Sequence, residues 1–283
     1  MQEDRRLTPY ALLGYPTLML GVFFLVPFGI MLAVSFFHRV EDAFYEPGFE
    51  FGNYARFLTP LFLEHLAFSL ILSALVAVVC VGVGFPFTYL LTRARHRVQV
   101  GWLIFILSVL SRSEVIVAFA WSLLLSKSAG VSNVLAWLGL MEQAASWTPG
   151  FPALLAGFCY LAFPYTVLML YPSVTRLNVE LTEAAQTLGA SPLRTFFTVV
   201  VPVLRPAILA GLILVFVFTL GIYLIPQILG RPQHWTLSVL ITDQAIYQSN
   251  IPFAAAMAVF LLVTSLALIA LTFALGRGRR MGT

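Results

Sequence analysis

Six runs of mostly apolar residues, roughly 12–37, 66–91, 100–125, 151–171, 206–228 and 253–275, leave this chain little choice of architecture. Each is as long as the ~20 residues a helix needs to cross the hydrocarbon core of a bilayer. Inside a bilayer the backbone must satisfy its own hydrogen bonds, so the runs are expected as helices. Only 10% of the 283 residues are charged, against about 25% in soluble domains; a soluble chain of this length could not cover so much apolar surface. The expected fold class is an all-α polytopic membrane protein, one domain over residues 1–283 with six transmembrane helices. Pro16, Pro27, Pro86 and Pro164 fall inside the runs, where neighbouring groups in a membrane protein can satisfy the carbonyls they free.

The connections fix an orientation. With the N-terminus cytoplasmic, the inside holds Arg5, Arg6, Arg93, Arg95, Arg97, Arg176, Arg194, Arg205, Arg277, Arg279 and Arg280. The outside holds only Arg39, Arg56, Lys127 and Arg231. Basic residues favour the cytoplasmic side, so both termini are expected there, and the first run is read as an uncleaved first helix because it is too long for a signal-peptide core. The outer connections are a polar loop at 38–65, a short interfacial helix near 131–138, and an apolar piece at 235–243 that is too short to span.

The net charge of +4 does not indicate nucleic acid, because the arginines are scattered between apolar runs and not gathered on one face. A P-loop sequence is lacking, so the chain is not expected to bind ATP itself. His38, His65, His96 and His234 are isolated, giving no metal-ligand spacing. Cys80 and Cys159 each lie in an apolar run and read as buried free thiols. Gly82 and Gly84 are expected to serve close helix packing.

The longest inner connection, 172–205, differs from everything around it. Thr182 is expected as an N-cap with Glu183 in the first turn, where the helix dipole favours an anion. Gly189 closes that helix. Ser191-Pro192 restarts one, a cap residue followed by proline at the first helical position. Pro202 and Pro206 are expected to end the second helix and hand the chain to the fifth span. The small residues Ala184, Ala185, Gly189 and Ala190 allow another backbone to approach closely. The loop therefore reads as a docking element, for a partner outside the bilayer.

Glu183, Ala184 and Ala185, then Gly189 after three residues, then Val199, Val201 and Pro202 after nine more, resemble the signature of permease subunits of binding-protein-dependent ABC importers. Phe163-Pro164-Tyr165, Gly211, Gly221 to Pro226, Pro252 to Ala256, and Trp121, Gly130 and Asn133 are similar to the spermidine/putrescine-type branch. This resemblance covers about residues 66–275. It implies a type I importer permease fold in a bacterial inner membrane. It implies that Glu183, Ala184, Ala185, Gly189, Ala190 and Ser191 couple the chain to a cytoplasmic ATPase dimer. ATP and magnesium would be bound by that ATPase and no cofactor by this chain, which has no catalytic residue of its own. A periplasmic binding protein would deliver a small polar, polyamine-like solute, and the second permease subunit is expected to be a different chain.

One feature departs from the family pattern. Arg112 lies about 12 residues into the third run, ~18 Å at 1.5 Å per residue, with Glu114 two residues further on. A charge at the bilayer centre costs at least about 2.5–3.5 kcal/mol, so the pair either lines the solute path or is a buried structural feature. Residues two apart do not share a helix face, so different partners are expected. Tyr223 and Trp235 fit either stacking on a solute or an interfacial aromatic belt. Asp243 fits either an outer-mouth contact or a solvated helix end. A stand-alone secondary transporter or channel remains as the alternative, but it would call for inverted repeats or a ring of like charges. An intramembrane enzyme would call for a convergent catalytic cluster.

Overall fold

The computed structural model describes residues 14–40, 43–128 and 130–278. Arg5, Arg6, Arg279 and Arg280, on which much of the orientation argument rests, lie outside the described residues. The chain runs as α1 (Gly14–Val34), a small antiparallel hairpin of β1 (His38–Val40) and β2 (Ala43–Glu46), α2 (Gly52–Phe57), α3 (Pro60–Arg93), α4 (His96–Leu110), α5 (Glu114–Leu124) and α6 (Val131–Trp137). It continues as α7 (Phe151–Thr175), α8 (Val179–Thr187), α9 (Pro192–Val203), α10 (Arg205–Gly221), α11 (Leu224–Leu229), α12 (Leu237–Thr242) and α13 (Ile251–Gly278).

Residues 64–239 form one packed unit. Its core joins Leu72, Val76 and Cys80 of α3 to Leu154, Phe158 and Ala162 of α7, with Val117 and Ala118 of α5, Val215 of α10, and Ile225 and Leu229 of α11. Close approach depends on absent side chains. A Cβ on Gly157 would sit 2.7 Å from Leu229 Cδ1 and 3.1 Å from Ile225 Cγ2, and one on Gly84 2.9 Å from Thr166 Cγ2. Gly84 is thus a packing glycine, whereas Gly82 has open space where its side chain would be. The expectation that both serve packing is corrected for Gly82. The thiols of Cys80 and Cys159 are free, with Cys80 Sγ 3.7 Å from the Cys159 carbonyl. Threonine hydroxyls return to helix carbonyls one turn back, Thr88 to Gly84 at 2.7 Å and Thr166 to Ala162 at 2.9 Å.

The other unit comprises the chain up to Leu63 with the chain from Leu240 onward. Phe57 packs on Phe260 of α13 at 4.2 Å between ring centroids, and Phe62 on Phe253 at 5.0 Å. Arg56 lies over the Phe253 ring at 4.9 Å. The stretch read as a polar loop carries the hairpin and α2. A hydrogen bond joins the His38 ring to the Glu50 carboxylate at 2.6 Å there, and the rings of Phe36, Phe49 and Phe51 pack together.

Four helices are long and apolar enough to cross a bilayer: α1, α3, α7 and α13. The third run is not a single rod: α4 and α5 meet at 95° across Ser111–Ser113. α9, which precedes the fifth run, meets α10 at 73° at Leu204. Taking α4–α5 as one bent span and the α9–α10 pair as crossing through α10 gives six. The reason for the first break lies in the polar run Ser111-Arg112-Ser113-Glu114. The Ser111 amide and Oγ both bond to the Leu107 carbonyl, at 3.2 and 3.1 Å, at the end of α4. Ser113 is extended (φ −64°, ψ 137°), which makes it the N-cap position of a new helix, and Glu114 then sits in the first turn, where the dipole favours it. The fifth run also stops early. α10 ends at Gly221, Ile222 is extended, and α11 begins at Leu224.

Candidate functional site

The connection between α7 and α10 is built as two short helices joined at Gly189. The cap of α8 is Asn178, whose Oδ1 accepts from the Glu180 amide at 3.0 Å. This corrects the expectation of Thr182 as the cap. Thr182 lies inside the helix, buried, its hydroxyl on the Val179 carbonyl, and Glu180 holds the first-turn position expected for Glu183. Asparagine is as good a cap as serine or aspartate, so a rival signal was present four residues upstream. The other end matches the expectation. Gly189 has φ +88°, the Gly189 amide reaches the Gln186 carbonyl at 2.9 Å, and the Ala190 amide reaches the Ala185 carbonyl at 3.0 Å. Those two bonds are the Schellman arrangement. Ser191 then caps α9, accepting from the Arg194 amide at 3.3 Å, with Pro192 at the first position.

α9 ends between Pro202 and Pro206, as expected. It runs to Val203 and turns at Leu204, with Pro202 inside it and Pro206 in the first turn of α10. It is anchored from below by Val200 and Leu204, which pack with Phe85, Leu170, Val174 and Leu177. What remains on the outside is specific. Glu183 and Ala184 are exposed, Ala185 and Ala190 half-buried, and beside Gly189 the Leu188 side chain is 89% exposed. Leu193 and Phe197 are exposed as well. Sequence reasoning missed Leu188. Its signal was a leucine directly before the helix-closing glycine, on a polar helix that offers no core of its own.

The break between α4 and α5 separates the two charges read in the third run. Arg112 is exposed at the joint, and its Nη1 points to Tyr160 Oη at 3.4 Å, long for a hydrogen bond. Tyr160 packs edge-on to Trp121 at 5.8 Å between ring centroids. Arg112, Trp121 and Tyr160 line a cavity of about 260 Å³ together with Ile116, Val117, Ala120 and Leu124. Glu114 turns elsewhere. Its carboxyl lies toward the backbone amides of Leu224 and Ile225 at the start of α11, and its Oε1 is buried without a hydrogen-bond partner. The expectation of different partners for the two charges holds.

Tyr223, the residue between α10 and α11, is exposed and next in sequence to the Glu114 contact. Trp235 follows a 3₁₀ turn at Pro232–His234, half-buried, its amide on the Pro232 carbonyl at 3.1 Å. Beside it, His234 stacks on Phe68 at 5.9 Å, and burial first, then the charge of Arg231, hold its pKa below the ordinary 6.5. Arg231 itself donates from Nε to the Pro149 carbonyl at 3.0 Å. Asp243 lies in the other unit, where the Gln248 amide donates to its Oδ2 at 2.8 Å. The structure therefore brings together Arg112 with Tyr160 and Trp121, and Glu114 with the α11 start next to Tyr223.

Comparison with known proteins agrees with this architecture. The sequence pattern of a family described as binding-protein-dependent transport system inner membrane component matches residues 10–280. The chain is 29% identical over 246 residues to the spermidine/putrescine transport system permease protein PotB of Escherichia coli (strain K12), covering 86% of this chain and 89% of that protein. It is 27% identical over 264 residues to the inner membrane ABC transporter permease protein YdcU of the same organism, covering 86% and 84%. Among solved structures it is similar to a chain of a bacterial alginate ABC transporter in complex with an alginate pentasaccharide-bound periplasmic protein, with a TM-score of 0.75 and 20% identity over 99% of this chain and 97% of that one. At that identity the likeness speaks for the fold alone.

Proposed function

The chain belongs to the family of binding-protein-dependent transport system inner membrane components, a multi-pass subunit of the bacterial inner membrane, and from that premise we propose how its parts divide the work of an ATP-driven importer for a small polar solute. Residues 172–205 take the energy. Glu183, Ala184, Ala185, Gly189, Ala190 and Ser191, with Leu188 at the tip, dock into a cytoplasmic ATPase dimer that binds the ATP and magnesium and performs the hydrolysis. A second permease subunit, a different chain, completes the pathway, and a periplasmic binding protein delivers the solute. Both termini lie on the cytoplasmic side, and the whole chain works as one permease domain.

The observation that carries this reading is the combination of a rigid α8–Gly189–α9 joint, anchored beneath by the Val200 and Leu204 cluster, with an uncovered leucine at its tip. A buried anchor beneath supports the loop from the membrane side, and Leu188 with the exposed Leu193 and Phe197 offers a partner apolar area to cover. The candidate solute contacts are Arg112 and Glu114, with Tyr223, Trp235 and Asp243 as further ones. The solute is polyamine-like in build, short and amine-bearing, as the names of the PotB relatives suggest. Co-purification of this chain with its ATPase and binding protein, followed by a solute screen read as stimulated ATP hydrolysis in lipid, tests the proposal. Stimulation by solute-loaded binding protein is expected. Solute uptake by this chain alone, driven by an ion gradient with no ATPase present, would overturn it.

A further inference from the structure

The geometry points to the cavity at the α4–α5 joint as a subsite for a carboxylate, so that the transported solute carries a carboxylate beside its amine and is not a pure polycation. This rests on the reading of Arg112 as part of the solute path. A guanidinium offers five N–H donors. Among the described residues, one is directed at a protein acceptor, Tyr160 Oη, at 3.4 Å. The neighbouring carboxyl of Glu114 is turned toward the α11 amides, and among the described residues no carboxylate lies within 4 Å of the Arg112 guanidinium. A permanent charge at a joint within an apolar run, with no carboxylate close to it, is a candidate for function.

The shape and chemistry of the cavity narrow the ligand. At about 260 Å³ it lies just below the ~300–1,000 Å³ of typical small-molecule sites, so it suits one end of a short solute. Ile116, Ala120 and Leu124 give it apolar walls, which strengthen an ion pair formed there. The planar fork of Arg112 matches a carboxylate through two parallel hydrogen bonds. The Trp121 and Tyr160 rings form a further wall and suit the methylene chain or ammonium at the solute's other end. A polyamine offers this cavity only cations, which Arg112 repels.

Arginine-directed labelling of the intact importer in nanodiscs tests this. The reagent is water-soluble p-hydroxyphenylglyoxal, read residue by residue by mass spectrometry in nucleotide-free and nucleotide-trapped states, with exposed Arg97 as the internal standard. Arg112 is expected to label in at least one state. 4-Aminobutanoate and glutarate are expected to slow that labelling several-fold, while putrescine leaves it unchanged. Equal protection by putrescine, or no protection by either carboxylate, would overturn the carboxylate subsite and leave Arg112 on the path. If Arg97 labels and Arg112 does not in either state, the pathway reading itself falls and the subsite with it.

Discussion

The amide of Ala190 donates to the carbonyl of Ala185 at 3.0 Å across a glycine with φ +88°. This pair of residues closes α8 and aims Leu188 outward. A branched side chain at Gly189 resists that conformation by about 1–2 kcal/mol, whereas asparagine adopts it readily. Gly189→Val is therefore expected to weaken capture of the ATPase by the membrane-inserted permease pair, and Gly189→Asn to retain it. Pull-down of the ATPase from detergent-solubilised membranes reads the difference.

Leu188 is the apolar contact that the joint presents. Burying a leucine against a partner contributes roughly 1.5–3 kcal/mol, about ten- to a hundredfold in affinity. Leu188→Asp is expected to lower ATPase affinity on that scale, measured by surface-immobilised permease complex. An unchanged affinity would place the contact elsewhere on the loop.

The cap of α8 gives a separate handle. Asn178→Ala removes the acceptor for the Glu180 amide and is expected to destabilise that helix by about 1 kcal/mol. Faster amide hydrogen exchange confined to residues 179–183 would register it, with the spans unaffected.

Gly157 and Gly82 make a matched pair for packing. Gly157→Val drives a side chain into Leu229 and Ile225, an overpacking expected to cost about 1–3 kcal/mol, seen as a lower melting midpoint of the purified complex. Gly82→Val meets open space, and its midpoint is expected to stay within experimental scatter.

These contrasts mark what sequence carries and what it does not. The six apolar runs and the Gly189–Ser191 punctuation are legible because they depend on local chemistry: hydropathy over a bilayer's thickness, positive φ at glycine, capping at Ser191. The breaks at 111–113 and 222–223 are less so. A run of average hydropathy hides a four-residue polar patch, and only tertiary neighbours decide whether it bends the helix or tunnels through. The cap of α8 went to Asn178 because two good caps stood four residues apart and the packing of Thr182 chose between them. The partnership of Arg112 with Tyr160, 48 residues distant, has no local signature.

His234 supplies a pH dependence. Its pKa is lowered in the folded protein, so the folded state binds fewer protons than the unfolded one as pH falls below the ordinary 6.5, and stability of the 231–235 turn declines there. Above that value the histidine is neutral in both states and contributes no slope. Acidification from neutral toward pH 5 is expected to lower the protection of the 231–235 amides, read as exchange rates normalised to the intrinsic rate at each pH, and His234→Gln to flatten that response.

The most direct measurement is solute accumulated per ATP hydrolysed by the reconstituted importer carrying Glu183→Arg. Glu183 is exposed on α8, away from every core cluster, so the variant should insert and assemble. If energy enters through this loop, the ratio falls severalfold while the subunits still co-purify. A ratio equal to that of the unsubstituted importer, in an intact complex, would contradict the account.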